Sequence, residues 1–319
     1  MRRVAALLAA VLLLGAVAGC GGSGAEPGAP KGVTLVLDFV PNAVHSGIYA
    51  AQRQGYYRDA GIDLTIRQPG ESTDAPKLLE AGRADFAILD IHDLGIAREQ
   101  GLDVVGTMPI VQRPLAAVLA RGNGPVHRPR DLEGHTAGVT GLPSDDAVVD
   151  SEVSADGGDP AQVDRVTIGF NVVSSLAAGK VDAATGFWNA EGVALRRQGI
   201  PVRIFKVNRY GAPPYPELVL TASQQTIDTD PQLVDSMVAA TTHGYEFASE
   251  HPAQALDDLL AEVPSLDRGD QAAQLHALKP DLRPAPFDQT VLKEWAAWDL
   301  QHGLLERPLD IDSAFLLSP

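Results

Sequence analysis

Apolar residues recur along the first half of the chain in short runs separated by amphipathic stretches. Val33-Thr34-Leu35-Val36-Leu37, Ile62 to Ile66 and Ala84 to Leu89 are too short for helices and read as strands. Between them the signals are helical. Pro41-Asn42 opens a stretch to Gln54, with Asn42 as N-cap and Gly55 as stop. Asp74 caps a short helix ending at Gly82, and Asp90 caps another from about Ile91 to Gln100. Strand–helix alternation predicts an α/β fold with mainly parallel sheets covered on both faces. From Asp228 to Leu305 the pattern turns helical throughout. Asp230-Pro231 starts a long amphipathic helix through Glu250, and Pro252, Pro264 and Pro280 punctuate later ones. Trp295 and Trp298 lie on one helical face, where packing is their expected role.

One stretch echoes another. Leu79-Glu80-Ala81-Gly82-Arg83-Ala84-Asp85-Phe86-Ala87 matches Leu176-Ala177-Ala178-Gly179-Lys180-Val181-Asp182-Ala183-Ala184. Either this is the common form of a helix–Gly–strand joint, or the chain holds two similar lobes. In open α/β sheets, ligands bind outside the carboxyl ends of strands. The second reading therefore points to Asp90-Ile91-His92-Asp93 in one lobe and Phe187-Trp188-Asn189-Ala190-Glu191 in the other.

The length of 319 residues allows two lobes with real cores, and 45% hydrophobic with 21% charged residues is an ordinary globular balance. Lys plus Arg number 25 against 41 Asp plus Glu, a net charge of −16. With no basic run, a nucleic-acid surface is excluded.

The amino terminus reads as a targeting segment. Arg2 and Arg3 precede an apolar run from Val4 to Val17, too short to span a bilayer. Val17-Ala18-Gly19-Cys20 resembles the bacterial lipobox, and Cys20 is the single cysteine. Residues 1–19 are thus expected to be a lipoprotein signal peptide, with Cys20 lipidated and 20–32 a flexible tether. Removing two arginines takes the mature charge from −16 to −18. The expected location is the cell membrane, lipid-anchored on its extracytoplasmic face.

Phe39-Val40-Pro41-Asn42-Ala43-Val44-His45-Ser46-Gly47 leads from a strand end into a helix start, where free N–H groups and polar side chains gather. Here the chain resembles a family: extracellular substrate-binding proteins of ABC importers related to the thiamine pyrimidine synthase of yeast. The resemblance is carried by residues 41–63, 81–88, 168–193 and 210–220. It implies a two-lobed type II periplasmic binding protein fold that closes over a small ligand. Lobe one is expected at 33–118 and 222–319, and lobe two at 119–221. The implied ligand is a pyrimidine precursor of thiamine, with riboflavin or an alkanesulfonate as alternatives. The implied partners are an ABC permease and its ATPase, the protein itself being a monomer without cofactor or metal.

The resemblance also raises an enzyme reading. The yeast-type synthase uses a lysine for pyridoxal phosphate, its own histidine as reagent, and a cysteine-rich run. Here Leu89 stands at the lysine position, His92 lies one residue out of register, and Tyr210 to Tyr215 contains no cysteine. Leucine cannot form a Schiff base, so the expectation is binding without catalysis.

The expected ligand-binding residues are Phe39, Asn42, His45, Asp90, His92, Trp188, Asn189, Glu191, Tyr210 and Tyr215. Phe39 stands where many relatives have Trp and retains a flat stacking face. Trp188 is expected to stack on a ring and Glu191 to accept from a ring or amino N–H, the alternatives being a buried packing residue and a solvated first-turn acid. Tyr210 and Tyr215 flank Pro213-Pro214 in a loop that is either a rigid crossover or a cleft wall.

Overall fold

A computed structural model describes residues 29–70 and 74–317. The signal peptide, Cys20 and most of the tether lie outside the described residues. Ten strands form two five-stranded sheets. The first is built from β1 (Lys31–Val36), β2 (Ile62–Arg67), β3 (Phe86–Asp90), β4 (Val104–Pro109) and β10 (Leu218–Ser223). Its order is β2-β1-β3-β10-β4. The second holds β5 (Ala116–Arg121), β6 (Thr136–Val139), β7 (Asp164–Thr167), β8 (Ala183–Phe187) and β9 (Val202–Lys206) in the order β7-β6-β8-β5-β9. In each sheet four strands run in one direction, and the fifth, β10 or β5, lies antiparallel between two of them after a crossover from the other sheet. This is the α/β two-lobe fold that the alternation and the resemblance predict.

The echo now has a structural meaning, because β3 and β8 hold the same place in their sheets. Asp85 and Asp182 precede them. The Asp85 carboxylate accepts the Thr34 N–H at 2.7 Å, and Asp182 accepts that of Thr136 at 3.2 Å. Thr34 and Thr136 lie on β1 and β6, so one side-chain bond locks the central strand pair in each lobe. Gly82 and Gly179 end the preceding helices at φ 62° and 66°, the left-handed turn that favours glycine.

Two expected boundaries move. Divisions at 118/119 and 221/222 would cut β5 and β10, which belong whole to the second and first sheets. The chain changes sheet just before each strand, around residues 110–115 and 210–217. Apolar continuity through Leu115–Ala120 and Leu218–Ala222 hides the crossover from a sequence reading. Lys31 and Gly32 also leave the tether: they pair with Ile62 and Asp63 at the head of β1.

Helices complete the layers. The helix Ser46–Gln54 packs on Pro231–Glu250, with Tyr245 donating its hydroxyl to the Val44 carbonyl. Trp295, fully buried on the helix Gln289–Gln301, fills the first lobe beside Phe315. Among the described residues no helix is long and apolar enough to cross a membrane.

Candidate functional site

The carboxyl ends of the parallel strands in both sheets face one cleft, which encloses about 910 Å³ with open water at its mouth included. Each strand end delivers its own side chains. β1 leads to Asp38, Phe39 and Asn42, and β3 to Asp90, His92 and Asp93. β6 leads to Thr140, Ser144 and Asp145, and β8 to Phe187 and Glu191. Phe39 and Phe170 meet edge to face across it, centroids 4.4 Å apart, so the walls come from both lobes.

The polar groups are organised by local caps. Asn42 accepts the Val44 N–H at 2.9 Å and donates to the Val40 carbonyl at 3.2 Å. His45 is buried behind it rather than lining the cleft. Its Nδ1 accepts the Asn42 N–H at 3.2 Å, which leaves the proton on Nε2 to donate to Asp38 Oδ1 at 2.8 Å. His45 thus positions Asn42 and Asp38. Asp90 caps the helix Ile91–Glu99 by accepting the His92 N–H at 2.8 Å. Burial pushes its pKa up to about 6 against the opposing charge of His92.

Among the described residues His92 is the one basic side chain of the wall. Its Nδ1 lies 2.7 and 2.9 Å from the two oxygens of Asp299, and its Nε2 has no partner. Burial alone would lower its pKa, but the charge and hydrogen bond of Asp299, helped by Asp90 and Glu217, raise it to about 10. Asp93 is pushed well above the usual carboxylate range by burial and by Asp90. Asp145 accepts the Thr140 N–H, the Thr140 hydroxyl and the Gly141 N–H at 2.7, 2.6 and 3.2 Å. Burial still outweighs these bonds and raises its pKa. Glu191 accepts the Phe187 N–H at 2.9 Å and is likewise raised by burial.

Five carboxylates and one imidazole therefore line the cleft, and among the described residues no lysine or arginine joins them. Without lysine or arginine such a wall lacks the fixed cations that hold a sulfonate or phosphate, and its carboxyl oxygens suit a ligand rich in N–H donors. Phe39, Phe170 and Phe187 add the flat apolar surface that an aromatic ring needs. Among the described residues no three His, Cys, Asp or Glu side chains group to hold a metal.

Besides His45, four more expected site residues lie elsewhere. The Trp188 indole donates to the Pro114 carbonyl at 3.1 Å, and Lys206 covers its face at 3.3 Å, so it braces the crossover instead of stacking in the cleft. Asn189 is fully buried beside it, with both amide atoms unpartnered. Tyr210 packs edge-on to Phe205 in the second lobe. Tyr215 is fully buried behind the wall, its ring edge-on to His92 with centroids 4.7 Å apart. The Pro-rich loop is thus the crossover of the two alternatives. Side chains immediately after a strand end alternate in direction, and counting from β8 cannot tell that Phe187 and Glu191 face the cleft while Trp188 faces away. Asp38, Asp145 and Phe170 are lining residues that the sequence reading did not select, and Asp93 is one it pointed to without counting it a ligand contact. Their signal was available in the placement after strand ends, the same rule that selected Asp90.

Residues 42–255 match the family model described as NMT1/THI5 like. The formylaminopyrimidine-binding protein of Halalkalibacterium halodurans is 30% identical over 98% of this chain and 97% of its own. The riboflavin-binding protein RibY of Chloroflexus aurantiacus is 28% identical over 89% of this chain and 84% of its own. Pyrimidine phosphate synthases also match, that of Saccharomyces cerevisiae at 24% identity over 74% of this chain and 72% of its own. In fold, the alkanesulfonate-binding protein SsuA of Xanthomonas axonopodis pv. citri superimposes with a TM-score of 0.75. The two share 15% identity over 90% of this chain and 98% of that one.

Proposed function

The chain belongs to the NMT1/THI5-like family, and from that premise we propose that it is the solute-binding component of an ABC importer, capturing an aminopyrimidine precursor of thiamine. The carboxylate-lined, aromatic cleft between two lobes carries this reading. An aminopyrimidine offers a flat ring for Phe39, Phe170 or Phe187 and amino N–H groups for Glu191, Asp145 or Asp93. A relative that matches nearly the whole chain is named for binding such a compound. The alkanesulfonate alternative meets a wall without lysine or arginine and is set aside. Riboflavin remains the second reading, supported by the match to RibY. Ligand contact with both walls favours the closed form.

The reading includes binding without turnover. Leu89 lies in the cleft wall at the place where the synthases' lysine would stand. It has no nitrogen with which to form an aldehyde adduct. The loop from Tyr210 to Tyr215 has no thiol.

Calorimetric titration tests the ligand class. The expected result is saturable binding of 4-amino-5-hydroxymethyl-2-methylpyrimidine with weaker or no binding of riboflavin and of an alkanesulfonate. Tight riboflavin binding without pyrimidine binding would transfer the site to the second reading. Tight sulfonate binding would overturn the electrostatic argument.

A further inference from the structure

We propose that the cleft selects a pyrimidine carrying a protonated aliphatic amine, and that Asp93 is the counter-ion of that amine. The inference rests on the aminopyrimidine reading above and narrows it. Of the five lining carboxylates, four are committed to groups of the protein. Asp38 holds His45, Asp90 the His92 N–H, Asp145 the Thr140 and Gly141 donors, and Glu191 the Phe187 N–H. Asp93, in the first turn of the helix Ile91–Glu99, has no hydrogen-bond or ion-pair partner among the described residues.

His92 favours charge on Asp93 but makes no hydrogen bond or ion pair with it, its Nδ1 being engaged by Asp299 at 2.7 Å and by the Trp295 indole N–H at 3.0 Å. A second observation points to an occupant of the same wall. His92 is 1% exposed, lines the cleft, and its Nε2 has no partner. A buried N–H without an acceptor is costly to leave unmade. A ring nitrogen of the ligand supplies that acceptor, while a charged amine on the same ring reaches Asp93.

The surrounding field agrees with the assignment. Asp90, Asp145 and Asp38 all act on Asp93 to disfavour its charge, and Asp145 does so from the other lobe. A cationic amine beside Asp93 offsets that cost and restores the charged carboxylate, whereas a neutral ligand does not, which makes ligand charge a basis of selection.

Three 4-amino-2-methylpyrimidines differing only at position 5 provide the test: aminomethyl, hydroxymethyl and formylaminomethyl. They are titrated calorimetrically against the full chain at pH 7.5. The aminomethyl compound is expected to bind about tenfold or more tightly than either neutral one, as a charge-assisted bond allows. In Asp93→Asn that ratio is expected to fall toward one. Equal affinities in the wild type, or an undiminished ratio in Asp93→Asn, overturn this inference and leave the pyrimidine reading standing. Failure of all three compounds to bind overturns both. The wild-type ratio decides by itself if the variant does not fold.

Discussion

His92 and Asp299 form a buried pair whose protonation state enters the stability of the first lobe. The folded pKa of His92 is raised from 6.5 to about 10, so the folded state holds this proton more tightly than the unfolded chain. By linkage the resulting stabilisation is complete below about pH 6.5 and is lost as pH rises through about 10. Urea denaturation of wild type and Asp299→Asn should show a stability gap that is wide at pH 6.5 and narrows steadily toward pH 10. A gap that stays constant across that window would show that the imidazole is not charged in the folded protein. At this scale the sequence was legible where a side chain caps its own helix, as with Asn42 and Asp90. It was not legible where the partner is remote. Asp299 lies 207 positions from His92, and nothing local to either residue announces the other. Trp188 misled for a related reason, since its partners Pro114 and Lys206 come from the crossover before β5 and from β9.

The elements themselves were largely legible. The apolar runs became β1, β2 and β3, and Gly55 ends the helix Ser46–Gln54 in the left-handed conformation at φ 88°. The echo proved to be a repeated device, because Asp85 and Asp182 make the same strand-to-strand bond. The crossovers were not legible, for continuous apolar strands look alike on either side of a hinge. Helix contact distances also escape sequence reading. The helices Ser46–Gln54 and Pro231–Glu250 approach so closely that a Cβ at Gly244 would lie 2.1 Å from the Gly47 carbonyl oxygen and 2.6 Å from the Ala51 Cβ. Both obstacles belong to the facing helix, and no flexible side-chain end is available to yield. Gly244→Ala should therefore destabilise the protein by roughly 1–3 kcal/mol, the usual range for overpacking. Chemical denaturation would measure it, and an unchanged midpoint would mean that the two helices can separate without loss.

At the scale of the whole molecule, two sheets of matching topology set their strand ends against one cleft, and two crossovers join them. Glu217 ties those crossovers together: its carboxylate accepts the Leu115 N–H at 2.6 Å, and its own N–H donates to the Val111 carbonyl at 3.0 Å. A hinge braced in this way suits a protein that closes around a solute. We further propose that the mature chain is held at the membrane by lipid on Cys20. Cell fractionation of Cys20→Ala should find the protein released or retained with its signal attached, whereas a mature and still anchored variant would contradict the lipid anchor.

The central claim, capture of an aminopyrimidine without chemical change, has one direct test. The protein is purified without denaturation, its intact complex is weighed by native mass spectrometry, and the released small molecule is identified by tandem mass spectrometry. Added 4-amino-5-hydroxymethyl-2-methylpyrimidine should be recovered at its original mass, with the protein mass unaltered after incubation with pyridoxal phosphate and iron. A protein that loses mass at a histidine while a pyrimidine product appears, or that carries a sulfonate in place of the heterocycle, would contradict the account.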